Sequence, residues 1–166
     1  MIAHKETIYT KDPSNKKMKV IREFDAPVEA VWKAWTDASL LDQWWAPHPW
    51  KARTQSMDFK DGGTWFYYME GPKGEKQHSR ADYTGITPLK EFSGDDAFCD
   101  EKGERIENMP TMHWKNTFAK TKDGTRVTSE LTFPTAAALD KTVEMGFKEG
   151  FAAAHQNLDE LLERNI

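Results

Sequence analysis

The sequence predicts an α+β domain: a curved antiparallel sheet of about seven strands, two short helices after the first strand, and one long C-terminal helix across the sheet. Three observations predict it. An amphipathic helical stripe begins at Val28, strand and turn signals fill the interval from Trp50 to Phe133, and an apolar stripe of helical period runs from Leu139 to Leu161. The chain has 166 residues, which fits one domain over its whole length, with residues 1–15 as an N-terminal extension.

The elements follow in order. In KKMKVIREFD, Met18, Val20, Arg22 and Phe24 share one face, which reads as a strand. In APVEAVWKAWTD, Pro27 suits a first helical turn, where its missing N–H is no loss. Val28, Val31, Trp32 and Trp35 then make an apolar helical stripe. Thr36-Asp37 offers a cap for a second short helix, ASLLDQWW, which Pro47 and Pro49 end. Strands follow in TWFYYM, QHSRADYTGI and LKEFSGDDAF, divided by turns at Asp61-Gly62-Gly63 and Gly71–Gly74 and by Pro88. DEKGERIENMP is a polar loop. TMHWKNTFAK and RVTSELTF form a hairpin around Lys122-Asp123-Gly124, the Asp-Gly pair being a turn signal. The closing helix spans roughly 136–164, with Leu139, Val143, Phe147, Phe151, Ala154, Leu158 and Leu161 as its stripe. Gly146 and Gly150 sit beside that stripe, each costing about 1 kcal/mol relative to alanine. They suggest either close backbone packing or room for something bulky.

Composition excludes several classes. The net charge is −4 with both signs interspersed, which argues against nucleic-acid binding, where a basic stripe is usual. No stretch approaches 18 apolar residues, so no membrane span is expected. No apolar run precedes the first charges, and the single cysteine, Cys99, permits no intrachain disulfide. A cytoplasmic protein is therefore expected. The five histidines show no metal-ligand spacing, and no cofactor is implied. Ser and Cys lack a nucleophile elbow, and Cys99 lies among acids that should raise its thiol pKa. The paired acids Asp95-Asp96 and Glu104/Glu107 read as solvated surface.

Four motifs carry a family resemblance. APVEAVWKAWTDASLLDQWWAP, MDFKDGGTWFYYM, DGTRVTSELTF and GFKEGFAAAHQNLDELL occur in this order over almost the whole chain. They resemble the AHSA1-like branch (activator of Hsp90 ATPase homologue 1-like) of the START-like, or SRPBCC, superfamily. The resemblance implies a helix-grip (Bet v1-like) fold, with a cavity between sheet and C-terminal helix that commonly takes hydrophobic small molecules. The family usually carries Trp where this chain has Phe151, which implies extra volume. The DGG segment implies a tight turn.

The candidate site follows from the strand faces. Trp65, Tyr67 and Met69 share one face by period two, and Met112, Trp114, Asn116 and Phe118 share another. Facing the helix, both sets line an aromatic pocket with Phe147 and Phe151. Polar groups among aromatics suit a ligand with one polar handle. Asn116 is the leading candidate, with Arg80, His78 and Tyr83 behind it, and His155 lies near the stripe. The alternative is a filled core with a hydrogen-bonded Asn. In WTDASLLDQWWAPHPW, Trp44 and Trp45 diverge by about 100° on a helix. One packs inward, and Trp45 is the candidate for the cavity mouth; the cluster reads as a clasp or as an entrance. Phe66 and Tyr68 fall on the opposite sheet face, exposed or at a homodimer contact.

Three functions are open at this point. The first is binding of a hydrophobic or aromatic small molecule. The second is an enzyme of the cyclase/dehydratase or hydrolase type, for which Arg80, Asn116, His155 and Tyr83 offer no convincing acid–base pair. The third is an Hsp90-regulating or protein-interaction module, which rests on the family's name alone.

Overall fold

The structure, a computed structural model, describes residues 5–164. Eight strands form a single sheet: β1 (Ile8–Lys11), β2 (Lys17–Phe24), β3 (Lys51–Met57), β4 (Thr64–Glu70), β5 (Lys76–Thr87), β6 (Glu91–Phe98), β7 (Thr111–Lys120) and β8 (Thr125–Thr132). Their order is β1-β2-β8-β7-β6-β5-β4-β3, and every neighbouring pair is antiparallel. The sheet therefore has one strand more than the sequence suggests. The extra strand, β1, falls inside the segment read as an N-terminal extension.

Helices α1 (Val28–Thr36) and α2 (Ala38–Trp44) lead from β2 to β3, at the other end of the sheet. Pro27 is the N-cap of α1 rather than its first helical residue, with an extended backbone. Asp37 caps α2, its side chain accepting from the Ser39 and Leu40 backbone amides. The expected C-terminal helix is two helices, α3 (Ala136–Glu144) and α4 (Phe147–Arg164). The break is Gly146, at φ +90°, a conformation that an L side chain strains to adopt. A Cβ on Gly150 would meet only the Pro47 ring, at 3.8 Å. The two glycines thus leave room, and close backbone packing does not explain them.

The core lies between the inner sheet face and the helices. Met18, Val20, Arg22 and Phe24 are all buried, as the alternation in β2 requires. Val127, Ser129 and Leu131 do the same for β8. Trp35 packs edge-on against Trp44, with ring centroids 4.9 Å apart. Trp44 Nε1 donates to the Ala34 carbonyl (2.9 Å), fastening α2 to α1. Asn157 Nδ2 donates to the Ala46 carbonyl (3.0 Å), fastening α4 to the end of α2. Asp42 accepts from both the backbone amide and the hydroxyl of Thr54, which binds α2 to the edge strand β3. The tryptophan-rich stretch is therefore a clasp for most of its length, and Trp32 extends it to Phe59, Phe92 and Phe118.

Candidate functional site: a pocket between the sheet and the divided C-terminal helix

The break at Gly146 opens the helical layer over the inner faces of β4 to β7. A pocket of about 280 Å³ lies there, adjoined by an inner chamber of about 70 Å³. Trp45, Asp96, Met112, Phe147 and Phe151 line both, so these five residues mark the junction. Tyr67 and Met69 form part of the outer wall, with Gly146, Gly150 and Pro47 towards the helices. Trp65, Tyr83, Trp114 and Asn116 surround the inner chamber.

Local geometry explains these placements. Trp45 is the C-cap residue of α2, and its Nε1 donates to the Tyr67 hydroxyl (3.0 Å). Trp65 and Tyr67 stack with centroids 3.9 Å apart, on one face of β4. The register Trp65–Ala81–Asp96–Met112 runs straight across β4 to β7, which sets all four on the inner face. Gly94, two pairs further along and so on the same face, leaves the space that the Trp114 ring occupies: a Cβ there would come within 2.8 Å of it.

Asp96 is the residue that sequence reasoning missed. It is not a solvated loop acid: it belongs to β6 and faces the pocket. Trp114 Nε1 donates to its Oδ1 at 2.5 Å. Burial raises its pKa to about 7 against that hydrogen bond, with Asp95 and Asp82 adding to the rise. Burial likewise pushes the Tyr67 and Tyr83 hydroxyls up, so both are neutral at physiological pH. Its neighbour Asp95 points the other way and contacts His113 Nδ1 (2.8 Å) on the outer face. Period-two alternation through Phe92, Gly94, Asp96 and Phe98 was the available signal.

Asn116 is buried in the inner chamber and its Oδ1 accepts from the Ser129 hydroxyl (2.6 Å). Three expected site residues lie elsewhere. Phe118 is on the inner face but is filled over by Trp32, Trp35 and Phe92, so it is core. Arg80 is on the outer face, paired across strands with Phe66, and its guanidinium is held by Asp82 and the Gly103 carbonyl. Three positions separate Arg80 from Tyr83, so a strand cannot aim both inward. His155 is buried beside Phe24 and Phe151 and hydrogen-bonds Thr7 through Nδ1 (2.9 Å), outside the pocket wall. Burial, with Arg22 nearby, lowers its pKa to about 3. That group stabilises the fold fully above about pH 6.5 and progressively loses its contribution as pH falls towards 3. In thermal melts a His155→Gln variant should therefore gain on the parent chain as pH falls from about 6 to 4, because only the parent chain carries the loss from the histidine; a difference that stays constant would mean another group governs that range.

Of the outer-face aromatics, Phe66 and Tyr68 are half-buried, each beside the His78 ring. Cys99 is buried, and burial first, with Asp100 and Asp82, raises its thiol pKa against the opposing pull of Arg80. Among the described residues no three His, Cys, Asp or Glu side chains gather as a metal site, and no helix is long and apolar enough to cross a membrane.

The profile of the family described as "Activator of Hsp90 ATPase homolog 1-like protein" matches residues 25–163. The chain belongs to the AHSA1 family. A protein from Mycobacterium smegmatis is 31% identical, covering 95% of this chain and 96% of that one, with a TM-score of 0.87. A protein from Arthrobacter aurescens is 32% identical, covering 95% and 91%, with a TM-score of 0.88. An AHSA1 protein from Silicibacter pomeroyi shares the fold at 19% identity, covering 90% and 99%, with a TM-score of 0.72. No protein of curated function matches the chain. The helix-grip fold of the AHSA1 family accounts for the DGG segment: a Cβ on Gly63 would overlap the Asp58 carbonyl oxygen at 2.0 Å, so only glycine closes that turn. In this AHSA1 member Phe151 borders both chambers.

Proposed function

We propose that the pocket binds a hydrophobic or aromatic small molecule. The observation that supports this reading is the mouth. The helical layer is divided where a continuous helix would lie over the sheet, and Gly146 and Gly150 flank the opening, where a Cβ on either would meet almost nothing. A domain built only for stability gains by filling such a gap, because the helical Gly150 costs about 1 kcal/mol and each void loses dispersion contacts. Aromatic walls with a few converging polar groups are the usual composition of a small-molecule site.

Gly150→Leu tests the reading. The side chain enters the mouth, so stabilisation of the fold by aromatic probes should vanish. The variant itself should melt no lower than the parent chain, since leucine is the better helix former. A parent chain that no aromatic probe stabilises would count against the proposal. A second reading, catalysis in the same pocket, draws support from Asp96 and Tyr67 facing one space; it needs a substrate whose turnover falls with Asp96→Asn.

A further inference from the structure

The charge inside the pocket narrows the chemistry of what it would hold. Trp114 occupies Asp96 Oδ1, and the second carboxylate oxygen makes no hydrogen bond among the described residues. Among the described residues no lysine, arginine or histidine lines either chamber. The charged groups close enough to act on Asp96 are Asp95 on its own strand and Asp82 on β5, both negative and both on the outer face. The other titratable groups facing the pocket are the Tyr67 and Tyr83 hydroxyls, held neutral by burial. Among the described residues, strand β7, the end of α2 and helices α3 and α4 bring no ionisable side chain to the wall.

An anion entering this space meets an acid and no cation. A neutral apolar molecule gains the walls and nothing from Asp96. A protonated amine gains a charge-assisted hydrogen bond to the carboxylate and the faces of surrounding aromatic rings. On the small-molecule reading above, we infer that the ligand is a hydrophobic amine, its ammonium group set against the free Asp96 oxygen and its apolar body directed past Phe147 and Phe151 towards the mouth. Binding then includes a proton balance. With its pKa near 7 in the empty pocket, Asp96 is partly protonated at neutral pH. On binding, carboxylic acid and ammonium become a carboxylate–ammonium pair, and the carboxyl proton goes to solvent.

The test uses a matched set of probes on the full chain: 2-phenylethylamine, 2-phenylethanol and phenylacetate, followed by titration calorimetry and tryptophan fluorescence. The amine is expected to bind about tenfold or more tightly than the alcohol, and phenylacetate the most weakly. Amine affinity should rise as pH increases from about 6 to about 8, and calorimetry in two buffers of different ionisation heat should register proton release. Asp96→Asn keeps an acceptor for Trp114 Nε1; it should erase the advantage of the amine and leave the alcohol unchanged. Equal affinity for amine and alcohol, or an amine advantage that survives Asp96→Asn, overturns the inference while the pocket reading stands. Failure of all three probes to bind the parent chain at millimolar concentration, or binding that Gly150→Leu leaves intact, overturns the pocket reading itself. Should Asp96→Asn fold poorly, the proton release and the amine-to-alcohol ratio of the parent chain decide the matter alone.

Discussion

Asp159→Ala should lower the stability of the fold by about 3 kcal/mol or more, because it strands a buried guanidinium. Arg22 points inward from β2, and its side chain is only 3% exposed. Asp159 of α4 meets it with both oxygens, one of them accepting from Nη1 at 3.0 Å and the other from Nη2. The Glu23 carbonyl also accepts from Nη1 (2.7 Å), and the guanidinium lies over the Phe24 ring, 4.9 Å from its centroid. Nε has no partner. Almost the whole compensation for burying this charge therefore comes from one carboxylate, which itself keeps 35% of its side-chain surface in water. Removing it leaves the cost of the buried cation in place and takes away what offsets it. Removing both partners, as Arg22→Met with Asp159→Ala, should recover most of the loss, since an apolar pair of similar bulk carries no desolvation cost. Chemical denaturation of the three variants measures this. A loss below about 1 kcal/mol for Asp159→Ala, or a double variant as unstable as the single one, would show that the pair is not what seats α4 on β2.

How far the sequence disclosed this architecture depends on how much each element buries. Helix α1 and the β7–β8 hairpin present full apolar faces, and their periodicity was legible. Strands β1 and β3 are the two edges of the sheet. In β3 only Ala52 is buried, and β1 has no buried residue, so neither shows a period-two pattern. The division of the closing helix was hidden for a different reason. Leu139 and Leu158 are fully buried on either side of the break, and the stripe keeps its phase across a glycine whose positive φ leaves no trace in hydropathy. The pocket's aromatic walls followed from alternation in β4 and β7. Its acid did not: Gly94 has no side chain to mark the inner face of β6, and a carboxylate on that face breaks the apolar pattern that would identify it. The expectation for Arg80 failed because its outward direction is set by cross-strand register with Phe66, which a single strand does not encode.

The same acid gives the second large effect, and it needs no ligand. At low pH Asp96 is protonated in both folded and unfolded chains. As pH rises through 3.8 the unfolded chain loses its proton, whereas the folded chain keeps it until about pH 7. The folded state then binds more protons, so the contribution of Asp96 to stability falls steadily between those two values and is lost above the upper one. The interval corresponds to about 2–4 kcal/mol, the lower figure allowing for water that enters the open pocket. His155 acts in the opposite sense over much of that range, gaining stability between pH 3 and 6.5, so the parent chain should show a shallow profile in which neither group is visible. The difference between Asp96→Asn and the parent chain isolates the acid. Asparagine can still accept from Trp114 Nε1, and it does not ionise. The variant should match the parent chain near pH 4 and exceed it by about 2–4 kcal/mol near pH 8, a gain of roughly 2–4 °C in Tm for each kcal/mol in a chain of this length. Parallel profiles would place the carboxyl in water and remove the buried negative charge on which amine recognition depends. A difference that opens between pH 4 and 7 would show an acid kept inside the pocket at a stability cost, which is the expected signature of a group retained for what it binds.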